Sequence, residues 1–245
     1  MPTIFDILDR LAWLRGAPAV AVVLVAAAVA VGAWDIGLAR RGRTVALPFA
    51  PLAFPALLVV YLVSGLLLID VLDPRLAVVY VLMGVVIALI VLLTGAQTRW
   101  GQPPPGLTDA ETARLSRPRP RAAGPLVFTS RAVLRLGLAL AVLAGALWLA
   151  RTPDTWLLFL PEGRAYLEVA VFGLAGLGLA GVVASPEPLP AGVGLLLFLL
   201  AFALYYGMVD PSITMVVALV VLQLVVALVA AYLAQARTLP VDLLD

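Results

Sequence analysis

Long apolar runs dominate the chain, and polar residues gather in the gaps between them. The runs lie near 17–38, 52–70, 75–96, 132–150, 165–184, 191–209 and 212–234. A helix needs roughly 20 mostly apolar residues to cross a bilayer. The pattern therefore predicts an all-α, polytopic integral membrane protein with about seven transmembrane helices. The fourth run is the weakest, because Arg131 and Arg135 fall in its first turn. Their side chains read as snorkelling to the headgroups.

The polar gaps divide the chain. In residues 1–16, Ile4, Phe5, Leu8, Leu11 and Ala12 recur at helical spacing, while Asp6, Asp9 and Arg10 fall elsewhere. This segment reads as an interfacial amphipathic helix, with Trp13 in the aromatic belt, or as an ordered lead-in to the first span. The first apolar run is too long for a signal-peptide core and reads as a retained helix. Residues 17–96 hold helices 1–3. Residues 97–131 form a Pro/Arg-rich loop, with Pro103, Pro104 and Pro105 followed by Arg114, Arg117, Arg119 and Arg121 interleaved with Pro118 and Pro120. Proline at this density disfavours a continuous helix. The four arginines read as a topology-setting linker or as a docking surface for anionic lipid or a partner. Residues 132–238 hold helices 4–7, and 239–245 form the C-terminal tail.

Composition agrees with a lipid-solvated chain. Of 245 residues, 64% are hydrophobic and 12% charged, against about 45–50% and about 25% in soluble domains. There is no cysteine and no histidine. Thiolate and imidazole chemistry is thereby removed, including the commonest haem and zinc ligand and the commonest general base. All sixteen basic residues are arginine, so neither a retinal Schiff base nor a P-loop lysine is available. A formal charge of +2 lacks the dense basic face that nucleic acid requires. No cofactor is expected.

With seven spans, eleven arginines fall on the side of the 1–2 loop, the 3–4 loop and the C-terminus, and five on the other. The positive-inside rule makes the first side cytoplasmic and places the N-terminus outside.

Residues 51–82 echo residues 188–219 at an offset of 137, with nine of 32 positions identical. After one inserted residue, Gln97 and Arg99 match Gln235 and Arg237. Helices 2–3 would then correspond to helices 6–7 as a parallel repeat, an arrangement found in several transporter folds. Two similar solutions to one hairpin problem would give the same echo.

The candidate ion, proton or pairing sites are Asp35, Asp73, Glu168 and Asp210. Asp73-Pro74 and Asp210-Pro211 also read as N-caps with proline at the first helical position. Asp35 lies near the inner end of the first span, within reach of Arg40 and Arg41. Glu168 lies near the outer end of the fifth, four residues after Arg164. The middle of every span lacks charge, with Ser64 and Gln223 its main polar residues. Small residues recur every four positions: Gly84 and Ala88; Gly137, Ala141 and Gly145; Gly176 and Ala180, continuing to Ala184. Such faces permit close helix packing.

No nucleophile–base pair or metal-ligand cluster emerges, so an enzyme is not expected. The pattern reads first as a non-catalytic subunit or scaffold of a larger bacterial membrane complex of respiratory, hydrogenase-like or cation-antiporter type. Its partners would be membrane lipids and other integral membrane subunits, its place the bacterial inner membrane. The alternative is a small permease for a neutral or lipophilic solute, with a cavity lined by Ser64, Tyr61, Tyr205, Tyr206 or Gln223.

Overall fold

The computed structural model describes residues 16–40, 43–45, 52–69, 71–98, 126–128, 130–149, 165–185, 187–209 and 212–236. Seven helices are present among them: α1 (Ala17–Gly32), α2 (Ala53–Ile69), α3 (Pro74–Gln97), α4 (Ser130–Leu149), α5 (Ala165–Val183), α6 (Pro188–Val209) and α7 (Ile213–Ala236). Each coincides with one apolar run. Helices α3, α5, α6 and α7 are long and apolar enough to cross a membrane, whereas the apolar parts of α1, α2 and α4 are shorter.

The helix ends follow local chemistry. Gly16 precedes α1 at φ 77°, a left-handed conformation that side chains with a Cβ avoid. Asp73 caps α3, its Oδ1 accepting from the Arg75 amide at 2.8 Å, with Pro74 at the first helical position. Helix α6 begins at Pro188, three residues before the sequence expectation of 191. Pro188 and Pro190 occupy the first turn, where amides have no intrahelical acceptor and proline loses nothing.

The first span differs most from expectation. Helix α1 stops at Gly32, and Ala33–Asp35 form a 3-10 turn. The Trp34 indole donates to the Ala30 carbonyl at 2.6 Å and meets Phe54 edge-on, 5.6 Å between centroids. Beyond it, β1 (Ile36–Arg40) pairs antiparallel with both β2 (Arg43–Val45) and β3 (Leu126–Phe128), in the order β2-β1-β3. Among the described residues the helices are thus joined by one small sheet, which takes residues 36–38 from the expected first span and 126–128 from the expected irregular loop. The β1–β3 pairing, Ile36 opposite Phe128, brings the 1–2 and 3–4 connections to the same end of the molecule.

Neighbouring helices close a ring: α1 packs on α2, α2 on α3, α3 on α7, α7 on α6, α6 on α5 and α5 on α1. Helix α4 lies outside it against α5 and α1. Leu57, Tyr61, Leu67, Leu196, Leu197 and Leu200 are fully enclosed at the centre. The outer faces are as greasy as the core, with Leu82 61%, Leu134 71% and Val183 81% exposed. Helices apolar on every side need an apolar solvent, and the protein is a membrane protein.

The tightest crossing joins α5 to α6. A Cβ added to Gly178 would lie 2.6 Å from the Phe198 amide nitrogen and 2.7 Å from the Gly194 carbonyl oxygen. One added to Gly194 would lie 2.7 Å from the Gly178 carbonyl oxygen. Backbone meets backbone here, which only glycine allows.

Candidate functional site

Helices α2, α3 and α7 each bring one polar side chain to a common buried point. Tyr61 of α2 donates its hydroxyl to Gln223 Oε1 of α7 at 3.3 Å, and Gln223 Nε2 donates to the Tyr80 hydroxyl oxygen of α3. All three residues are almost wholly buried. Gly84, one turn after Tyr80, makes room for the cluster: a Cβ there would lie 2.6 Å from the Tyr61 ring. An amide with one acceptor and two donors can bridge two hydroxyls, and a buried polar group without partners is costly. Ser64, one turn after Tyr61, is fully buried, and its hydroxyl has no hydrogen-bond partner among the described residues.

A narrow cleft opens above this cluster, toward the Asp73 end of the bundle. It lies where α2, α3, α6 and α7 meet, with Leu72, Tyr80, Ala203, Tyr206 and Met215 in its wall. No charged side chain lines it among the described residues. Its volume of about 10 Å³ holds a single water-sized occupant. At the opposite end of the same α3·α7 seam, Gln235 Nε2 donates to Gln97 Oε1 at 2.9 Å.

Of the five residues the sequence singled out for a cavity, Tyr61, Tyr206, Gln223 and Ser64 lie in or beside this region, while Tyr205 is half-buried against the core and does not line the cleft. The sequence missed Tyr80, the residue joining cluster to cleft. A tyrosine flanked by valines near a helix start carries no mark of its partner 143 residues away.

The charged candidates are scattered. The Asp73 carboxylate is exposed and engaged as a cap. Glu168 is half-buried in the first turn of α5; its expected partner Arg164 lies outside the described residues, as do Asp210, Arg114, Arg117, Arg119 and Arg121, the tail, and all of the expected interfacial helix 1–16 except Gly16. Asp35 ends the 3-10 turn instead of lying in a spanning helix. Arg135 does not snorkel: it is 6% exposed, and its Nη2 donates to the Ala184 carbonyl at 3.2 Å. A cation there complements the C-terminal end of α5. Among the described residues no three carboxylates gather as a metal site.

The small-residue faces divide. Gly84 receives Tyr61, and Ala88 is buried. Gly176 receives Val142 of α4, and Ala180 is buried, but the contact with α6 is made by Gly178 and Gly181. On α4, Gly137, Ala141 and Gly145 are all exposed, and among the described residues a Cβ on either glycine would meet nothing within 4 Å. Every other described helical glycine would press a Cβ against a neighbour.

Comparison with family models, curated proteins and solved structures finds no match.

Proposed function

We propose that the chain is a non-catalytic subunit of a larger assembly in the bacterial inner membrane, docked to a transmembrane helix of another subunit through α4. Respiratory, hydrogenase-like and cation-antiporter assemblies contain small hydrophobic chains of this general build, an argument from analogy. All seven helices cross the bilayer, with the N-terminus outside and the C-terminus in the cytoplasm. The observation that carries the reading is the contrast among glycines: those of the ring are filled by neighbours, while Gly137 and Gly145 stand open on one face of the outermost helix. Small residues four apart let a second helix approach closely within a bilayer.

The test is purification of the full chain from its native membranes in mild detergent. Other hydrophobic chains should accompany it in fixed ratio, and Gly137→Leu with Gly145→Leu should release them without lowering the stability of the chain itself. A chain that purifies alone, or keeps its company despite both substitutions, refutes the proposal.

The parallel repeat belongs to the same proposal and extends to three helices, α1–α3 and α5–α7, with α4 as the link between them. Its support is threefold. The sequence echo matches α2–α3 to α6–α7. The packing α1·α2, α2·α3 has the counterpart α5·α6, α6·α7. Gln97 and Gln235, matched in the echo, bond to each other, as equivalent residues do beside a two-fold axis.

A permease for a neutral or lipophilic solute is the second reading, favoured by the uncharged cleft above Tyr80. Flux through proteoliposomes holding only this chain would support it, and impermeability would count against it.

A further inference from the structure

We propose that the three-stranded sheet lies in the headgroup layer of the bilayer, and that its β1–β2 hairpin, closed by Arg40 and Arg43, binds the phosphate of an anionic phospholipid. The proposal needs neither a partner subunit nor a transported solute, so it can fail apart from both readings above.

The register sorts the sheet into two unlike faces. Successive residues of a strand alternate between faces, and residues directly opposite in neighbouring strands share one. Arg40 stands opposite Arg43, Leu38 opposite both Val45 and Leu126, and Ile36 opposite Phe128. One face therefore takes Ile36, Leu38, Val45, Leu126 and Phe128, with the two arginines at its far end. The other takes Gly37, Ala39, Thr44 and Val127. The large apolar positions thus share a face, which favours an apolar surrounding. The arginine pair marks the margin where that face ends, as basic residues border the apolar side of elements that lie in a membrane interface.

The closing pair calls for an anion. Like charges directly opposite in an antiparallel pair destabilise the pairing. Neither strand carries a carboxylate, since β1 reads Ile-Gly-Leu-Ala-Arg and β2 Arg-Thr-Val. Asp35, which the sequence put within reach of Arg40, lies five residues back along an extended strand, about 17 Å away. Charges in water are largely screened beyond about 8 Å. Glu187, the other described carboxylate at this end, belongs to the start of α6. Among the described residues, then, the pair has no counter-charge close at hand.

The tethers choose the source of the anion. β1 follows α1 after a single 3-10 turn, and one residue separates β3 from α4. Arg40 lies only about 14 Å along the strand from Ile36, so both ends of the sheet keep the pair near the bilayer surface. Two guanidinium groups suit a phosphate, which each can hold through paired hydrogen bonds. The apolar positions on the same face suit acyl chains, which free phosphate lacks.

The native absence of cysteine allows one label to be placed. Thr44→Cys, on the opposite face of the hairpin, carries a bimane fluorophore on the full chain in phosphatidylcholine vesicles. A nitroxide quencher high on the acyl chain is added on phosphatidylglycerol or, in parallel, on phosphatidylcholine. The anionic lipid should quench as though bound about tenfold more tightly, since each arginine near an anionic surface contributes up to about fivefold. Arg40→Gln with Arg43→Gln should reduce the preference below about twofold. Arg40→Glu should do the same while keeping the hairpin closed, because it sets opposite charges across the strands. Arg75→Gln, at the other end of the molecule, should leave the preference unchanged, and excess inorganic phosphate at constant ionic strength should not relieve the quenching. Equal quenching of the parent by the two lipids overturns the site. A preference that survives Arg40→Glu, or that Arg75→Gln abolishes equally, overturns the role of the closing pair. Relief by inorganic phosphate overturns the lipid as occupant.

Discussion

Replacing Gln223 by Met isolates the energetic worth of the buried polar cluster. Met is unbranched and similar in length, so packing changes little. The substitution removes both hydrogen bonds of the cluster and strands two tyrosine hydroxyls among α2, α3 and α7. Interhelical hydrogen bonds in membranes average about 0.6 kcal/mol each and reach about 1.7. An unsatisfied buried hydroxyl costs about 1–3 kcal/mol, less whatever relaxation recovers. Together these bracket the loss at about 1–3 kcal/mol, read from SDS-driven unfolding in bicelles. The triple variant Gln223→Met, Tyr61→Phe, Tyr80→Phe removes the stranded groups as well, and should regain more than half of that loss, since deleting all partners of a network is cheaper than deleting one. A Gln223→Met protein within about 0.3 kcal/mol of the parent, or a triple variant no better than the single, would show that the hydroxyls find other partners and that the cluster is not a closed network.

Three further outcomes are expected from the same unfolding assay. Ser64→Ala removes a fully buried hydroxyl that has no hydrogen-bond partner among the described residues and should be neutral or stabilising by up to about 1 kcal/mol; a clear loss would mean that Ser64 holds a water or ligand. Gly178→Ala forces a methyl into the α5·α6 backbone contact and should cost about 1–3 kcal/mol or more, while Gly145→Ala, facing open space, should leave the isolated chain unchanged. Asp73→Ala should cost about 1 kcal/mol by leaving the first turn of α3 uncapped, and Asp73→Asn much less.

The helices were legible because their apolar runs are long and Asp-Pro pairs punctuate them. Asp73 and Pro74 sit at the start of α3 as cap and first-turn residues should. What sequence could not mark was which face of each helix turns inward. In a soluble helix the polar stripe identifies the outer side; here both sides are apolar, and nothing distinguishes Gly176 from Gly178. Counting small residues at four-residue spacing therefore selected an open face on α4 and passed over Gly178, which makes the α5·α6 backbone contact. The small sheet escaped notice for another reason: its strands are three to five residues long, and β1 is paired with β3 across a gap of more than eighty residues. Arg135 was placed at the lipid surface because its acceptor, the Ala184 carbonyl, lies 49 positions away.

The helix lengths have a consequence for the lipid itself. Helices α3 and α7 have 24 residues each and α1 only 16, about 36 Å against about 24 Å. On the proposed seven-span topology, a hydrocarbon layer about 30 Å thick would swell beside the seam and thin beside α1, at a cost of fractions of a kcal/mol per ångström of mismatch.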